Sequence, residues 1–305
     1  MQTRKAKKIF QPVDNTEFGG PVPHLQSIFE FSMSPQTPSV FTFSASDPTS
    51  GAGLQADALT LAALGAHPIT VLTGLTAQNT VGVLRMEPVS PDWLHAQLDT
   101  LLADGVVPHA IKTGVLGSVA AVEAVVALKT AHPDVPLVVD PVRASGRGDA
   151  LASAALWECM MQSLLPVTDL LTPNWPEAVA LTGADTADAA AQALLGMGVK
   201  AVLLKGEHMA GEQVVNRLYT AEGVQAYPCE RLPHQYHGSG CTLASACAAG
   251  LAQGVPLVDA VALALDYTWQ ALKYGFAIGQ GQRIPDRMHL LQQWAEAIDK
   301  LEADE

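Results

Sequence analysis

The chain is poor in positive charge: 17 Lys and Arg stand against 30 Asp and Glu, a net charge of −13 over 305 residues. That shortage leaves no basic face for nucleic acid or an anionic lipid surface, so an anionic ligand must be met by a local positive site. Cysteine is scarce as well. Cys159, Cys229, Cys241 and Cys247 form no CxxC pair, and Cys241 and Cys247 lie too far apart along one helix to bond. That usage suits a reducing, cytoplasmic compartment. No run of 18 apolar residues is present, which excludes a membrane-spanning helix. The GxxxxGK[ST] loop is missing and with it a P-loop kinase, while the lack of HExxH and GxSxG weakens zinc-protease and serine-hydrolase readings. Histidines 24, 67, 95, 109, 132, 208, 234, 237 and 289 show no ligand spacing and read mostly as surface or loop residues.

What is present describes a soluble chain with a large core, 49% hydrophobic and 15% charged, which should bury roughly three quarters of its unfolded surface. Residues 1–38 differ in kind. They open with Arg4, Lys5, Lys7 and Lys8 and continue without periodicity or the apolar core of a signal peptide. They are expected to form a loosely ordered extension, with 39–305 as one domain.

Within 39–305, strand-like and helix-like stretches alternate. Expected strands are 40–43, 69–72, one starting at Ala110, 137–139, 170–172 and 201–204, with a hairpin of 214–219 and 224–227 through Glu222-Gly223. Expected helices are 51–64, 91–103 with Ser90 as cap and Pro91 at the first position, 119–130, about 153–165, one from Pro176, and 189–195, and three more close the chain. Apolar strands alternating with helices imply an α/β fold, a three-layer α/β/α sandwich around a mostly parallel sheet.

In such a sheet, ligands bind beyond the carboxyl ends of the strands. The segments there are Ser46-Asp47, Thr76 to Asn79, Lys112 to Gly114, Asp140-Pro141, Thr172 to Asn174, Lys205-Gly206 and His237 to Cys241. The last is the centre of the chain's chemistry. Gly238, Ser239 and Gly240 lead into a helix whose apolar residues Leu243, Ala246, Cys247, Gly250 and Leu251 recur at three- and four-residue steps, with Gly254 as a C-terminal stop. Its first turn offers unpaired N–H groups and a positive dipole end to an anion, and a thiol held there should ionise more easily than a free cysteine. A plain Gly-Ser turn before an ordinary helix remains open on these residues alone. Gly51 and Gly53 with Ala56 match the dinucleotide fingerprint only weakly, since no acidic residue follows at the right place.

Thr42 to Asp57 (TFSASDPTSGAGLQAD), Thr76 to Thr80, Asp140-Pro141-Val142, Thr172 to Ala178, Leu204-Lys205-Gly206 and His237 to Thr242, in this order, resemble the hydroxymethylpyrimidine/phosphomethylpyrimidine kinases of thiamine biosynthesis. The likeness covers residues 39 to about 275. It implies the ribokinase-like fold and transfer of the γ-phosphoryl of ATP to 4-amino-5-hydroxymethyl-2-methylpyrimidine, its monophosphate, or both, with Mg2+. Cys241 would then be the base beside the substrate hydroxyl, where many ribokinase relatives carry aspartate, and Gly238, Ser239 and Gly240 the anion hole. Gln78 would bond the pyrimidine, its amide giving a donor and an acceptor together. Asp47, Ala52, Asp57 and Val142 would line or brace the same pocket. Asn174, Glu177 and Lys205 would meet ATP, and Asp140 and Glu177 the metal.

Other readings stay open for several of these. Asn174 and Glu177 could form a capping box, Asp57 could be a helix-surface carboxylate, Lys205 a solvated strand-end lysine, and Lys112 a structural residue or a helper at the rim. The chain also departs from the family pattern. Ala45 and Ser50 stand where glycine is usual, Thr113 and Val115 where Ile and Met are frequent, and Arg143 to Asp149 differs from the usual Met-x-x-Lys segment. Arg143 and Arg147 could meet a substrate phosphate, which would favour the phosphorylated pyrimidine. A pyridoxal-type kinase and a non-catalytic relative are the alternatives. A homodimer through the apolar helical tract after Pro256 is a further expectation.

Overall fold

The computed structural model describes residues 37–143, 153–209 and 211–291. The expected extension 1–38 falls almost wholly outside these residues, as do Arg147 and most of the third closing helix. The remainder alternates as the periodicity demands: β1 (Ser39–Ser46), α1 (Gly53–Ala63), β2 (His67–Gln78), β3 (Val83–Pro88), α2 (Pro91–Ala103), β4 (Ala110–Thr113), α3 (Val119–Ala131) and β5 (Leu137–Val139). There follow α4 (Ala154–Cys159), β6 (Leu170–Leu171), α5 (Trp175–Thr182), α6 (Ala187–Gly196), β7 (Ala201–Leu204), β8 (Gln213–Thr220), β9 (Gly223–Glu230), α7 (Ser239–Ala252) and α8 (Leu257–Lys273).

These strands make one nine-stranded sheet in the order β3-β2-β1-β4-β5-β6-β7-β8-β9. From β2 to β7 every neighbouring pair is parallel, and the antiparallel β3 and the β8–β9 hairpin close the two edges. Alternation of side chains across each strand feeds two cores. Phe41, Phe43, Val71, Ile111, Val139, Leu171 and Val202 face α2 to α6. Val40, Ala110, Val138, Leu170, Ala201 and Leu203 face α1, α7 and α8. The expected α/β/α layering results.

Four features differ from the sequence reading. The strand expected at 69–72 runs over His67–Gln78, and its far half leaves β1 behind to pair with the unexpected β3. Asn79 turns that hairpin, its Oδ1 accepting from the amides of Val81 and Gly82. The helix expected over about 153–165 is α-helical only to Cys159 and continues as a π turn (Met160–Leu164) and a 3-10 turn (Leu165–Val167). The stripe expected on α7 is instead burial all round, since every residue from Cys241 to Ala249 is buried. α7 is an interior helix, roofed by α8 and floored by the sheet. α8 in turn buries Ala260, Val261, Leu263, Ala264, Tyr267, Thr268 and Ala271, so most of the apolar tract offered for dimerisation is consumed within the fold. No described helix is long and apolar enough to cross a membrane.

Candidate active site

The carboxyl ends of the parallel strands carry the polar residues singled out above, and α7 points its N-terminus among them. Gly238 caps that helix with φ 83°, and no side chain caps it. A left-handed backbone suits glycine, and a Cβ here would collide with the carbonyl oxygen of Gly51. The first-turn amides of Ser239, Gly240 and Cys241 thus lie where a helix has no carbonyls of its own to offer them. Gly240 faces a buried ion pair. A Cβ on it would stand 3.0 Å from Lys205 Nζ and 3.2 Å from Asp140 Oδ2.

That pair links the strand ends after β5 and β7. Lys205 Nζ is 3.0 Å from Asp140 Oδ1 and 4.0 Å from Glu177 Oε2, and Thr172 Oγ1 donates to Asp140 Oδ1 at 3.3 Å. Burial disfavours the Lys205 ammonium, but Asp140 and Glu177 outweigh it and hold its pKa above the usual lysine range. Lys205 is therefore not a solvated strand-end lysine. Asn174 and Glu177 do form a capping box, Glu177 N donating to Asn174 Oδ1 at 2.9 Å and Asn174 N to Glu177 Oε2 at 2.8 Å. The box also fixes the Glu177 carboxylate beside Lys205, so the structural and functional readings coexist. Burial pushes Glu177 up to about 7, with Lys205 pulling down and Asp140 pushing further up.

The other side of the α7 mouth is the loop after β1. Asp47 folds it, accepting from the amides of Thr49 and Ala52 at 2.8 Å each and from Thr49 Oγ1. His237 Nε2 lies 2.7 Å from Asp47 Oδ2. Burial opposes the Asp47 charge, yet hydrogen bonds from His237, Gln78, Thr49 and Ala52 hold its carboxyl well below the usual carboxylate range. Asp47 is thereby joined through His237 to the glycine turn. Val142 follows the Asp140 strand end half-buried, its amide donating to the Asp140 carbonyl at 2.8 Å.

Beneath these lies Asp57, fully buried. It accepts from Lys112 Nζ at 2.6 Å, Thr42 Oγ1 at 2.7 Å and Ser245 Oγ at 2.8 Å. Of the readings left open, Asp57 is not the helix-surface carboxylate, because α1 turns it into the sheet, and Lys112 is the structural residue, buried in the core and not at the rim. Together they brace β1, β4, α1 and α7.

Cys241 is buried in the first turn of α7. Burial pushes its thiol above the ordinary range, Lys112 pulls it back, and Asp57 and Asp140 add to the rise. The helix mouth was expected to make this thiol more acidic. In this structure desolvation outweighs the pull of Lys112 and the Gly53 amide. Among the departures from the family pattern, Ser50 holds φ 57°, a left-handed conformation at a place where glycine would be unstrained. Arg143 lays its guanidinium 5.8 Å from the ring centre of Trp157 on α4.

Sequence reasoning gave His237 no role within its motif and missed Arg287. His237 carried a signal in its place directly before Gly-Ser-Gly. Arg287 carried none, since its partners Ser50, Gly51, Gly238 and Thr242 are far away in sequence.

An uncapped helix mouth, a buried lysine between carboxylates and a thiol, all at the carboxyl ends of a β2-to-β7 parallel sheet, define a ribokinase-like phosphotransferase. The family model for phosphomethylpyrimidine kinase matches residues 47–286, and the chain belongs to that family. It is 41% identical over 250 residues to a hydroxymethylpyrimidine/phosphomethylpyrimidine kinase of Streptomyces coelicolor, covering 80% of this chain and 92% of that protein. It is 39% identical over 249 residues to the thiamine biosynthesis bifunctional protein ThiED of Geobacter sulfurreducens, covering 80% of this chain and 51% of that protein. Among solved structures, a pyridoxal kinase of Bacillus subtilis in complex with ADP superposes with a TM-score of 0.76 at 28% identity, covering 84% of this chain and 99% of that one. A phosphomethylpyrimidine kinase of Clostridium difficile gives 0.67 at 32%, covering 77% and 99%.

Proposed function

We propose that this kinase phosphorylates 4-amino-5-hydroxymethyl-2-methylpyrimidine, its monophosphate, or both, with ATP, on the way to thiamine diphosphate. The observation that carries this reading is the convergence at one helix mouth of Gly240, facing the Asp140–Lys205 pair, and of Cys241 within the influence of Lys112. The hydroxyl oxygen of the alcohol, or a phosphate oxygen of its monophosphate, attacks the γ-phosphorus of ATP, the bond to the bridging oxygen breaks, and ADP leaves. Such a transfer needs alignment and charge neutralisation more than covalent chemistry. The amides of Gly238, Ser239 and Gly240 receive the negative charge of the moving phosphoryl. Cys241 as thiolate takes the hydroxyl proton. Gln78 reads the aminopyrimidine edge from the end of β2, and Ala52 and Val142 wall the ring. Asn174, Glu177 and Lys205 hold the ATP phosphates.

Mg2+ on a nucleotide takes one or two carboxylates, keeps waters and finds its other ligands on phosphate. Asp140 and Glu177, buried and flanking Lys205, fit that donor set and would hold the ion through water. The ion would neutralise phosphate charge.

The backbone likeness to a pyridoxal kinase supports a second reading, phosphorylation of pyridoxal-type alcohols, which are also flat heteroaromatic hydroxymethyl compounds. Measuring kcat/KM for the hydroxymethylpyrimidine, its monophosphate and pyridoxine decides. A pyrimidine preference is expected, whereas faster turnover of pyridoxine overturns it, and no ATP turnover on any of the three points to a non-catalytic relative. The single continuous sheet supports 39–305 as one domain. A cytoplasmic location and a homodimer are proposed with it, the latter to be read from sedimentation at twice the chain mass.

A further inference from the structure

Arg287 is a buried cation, 2% exposed, in a segment outside all the motifs above. Its Nε donates to Thr242 Oγ1 at 3.0 Å, its Nη1 to the Ser50 carbonyl at 3.2 Å, and its Nη2 to the carbonyls of Gly51 at 2.5 Å and Gly238 at 3.4 Å. Among the described residues no carboxylate forms an ion pair with it. A buried guanidinium held by neutral acceptors, with the carboxylates of Asp57 and Asp47 acting on it without touching it, is costly, and one usually finds it where its charge is used. Its acceptors belong to the loop after β1 and to the first turn of α7, the walls of the α7 mouth. These walls already touch, since Gly238 leaves no room for a Cβ against the Gly51 carbonyl. Carbonyl oxygens alone would repel the incoming phosphoryl. Arg287 gathers the Ser50, Gly51 and Gly238 carbonyls on one cation, which offsets their negative ends beside the first-turn amides.

We propose that Arg287 is the positioning residue of the anion hole: it clamps the Asp47–Gly53 loop to the α7 turn and supplies the positive background in which the γ-phosphoryl moves. The inference rests on the kinase reading above. Through Gly238 and Thr242 it acts on the receptor for the transferring group and not on Gln78, so it acts on kcat and on γ-phosphate affinity more than on the pyrimidine KM.

The test uses Arg287→Gln and Arg287→Lys in the full chain. The glutamine variant is expected to lose roughly 100-fold in kcat, the scale of a misplaced transfer group, with the pyrimidine KM within about threefold, and lysine to recover part of the loss. Calorimetry with AMP-PCP and with ADP reads the γ site without any pyrimidine. Affinity for AMP-PCP should fall about 10-fold, as for one lost charged contact, while that for ADP stays within about twofold. A kcat per folded molecule equal to wild type, or equal losses for the two nucleotides, overturns the inference. If the glutamine variant does not fold, the lysine variant decides on the same two measurements. Wild-type protein that ignores the pyrimidine but distinguishes the nucleotides in this Arg287-dependent way would sink the substrate assignment and leave the clamp standing.

Discussion

Cys241 shows how one residue carries opposing demands. The proposed role requires a thiolate, yet burial raises the thiol, and Lys112 and the Gly53 amide draw it down. A base works only when deprotonated, so kcat/KM should rise with pH across the thiol's ionisation and fall below it. Replacing Cys241 with Ser should lower kcat by about 100-fold or more, and Cys241→Asp should move the ascending limb of the pH profile toward acid. An unchanged limb in the aspartate variant would remove Cys241 as the base. Glu177 gives a complementary test on stability. Its carboxyl, raised to about 7, binds its proton more tightly folded than unfolded, so its contribution is complete below about pH 4.5 and lost as pH rises through about 7. Tm of Glu177→Gln, measured against wild type, should therefore gain between pH 5 and pH 8. At this scale much of the site was legible: Asp140, Lys205, Asn174 and the Gly238–Cys241 turn each follow a strand or start a helix, and position alone marks them. Arg287 was not, because contacts made to residues 236 and 237 positions away leave no local pattern.

Among the elements, the loop from β1 to α1 is the strained one. Ser50 sits at φ 57°, which costs a non-glycine residue about 1 kcal/mol. Ser50→Gly should raise unfolding free energy by no more than about 0.5 kcal/mol once the added unfolded-state entropy is subtracted, as denaturant titration will show; a loss of stability would mean the strain is illusory. Gly238→Ala should act in the opposite sense, losing both stability and kcat, since the new methyl meets the Gly51 carbonyl at a left-handed backbone. Elements buried on both sides, such as β4, β5 and β7, were easy to read because their apolar runs are short and continuous. β3 was hidden for the converse reason. Leu84 is 88% exposed there, so the strand has a hydrogen-bonded partner but no buried face to write alternation into the sequence.

At the scale of the molecule, the Lys112–Asp57 pair fastens β4 to α1 with both side chains 0% exposed. Asp57→Asn, which leaves the ammonium uncompensated, should cost about 3–5 kcal/mol, seen as a lower chemical-denaturation midpoint. One sheet threads every described strand, so thermal unfolding should give a single transition. Saturation with AMP-PCP at 100 times its Kd should raise that transition by the equivalent of about 2.7 kcal/mol. Two resolved transitions would contradict 39–305 as one unit. The layered fold was legible because α/β alternation is a property of the whole pattern and survives errors at individual boundaries.

The α7 mouth is walled by residues 47–53 on one side and locked by Arg287 from near the other end of the chain. A polypeptide emerging from the ribosome can pair β1 with β2 early, but it cannot finish its phosphate receptor until residue 287 has been added. Chains stopped short of it would then transfer phosphate poorly however well their first strands have folded.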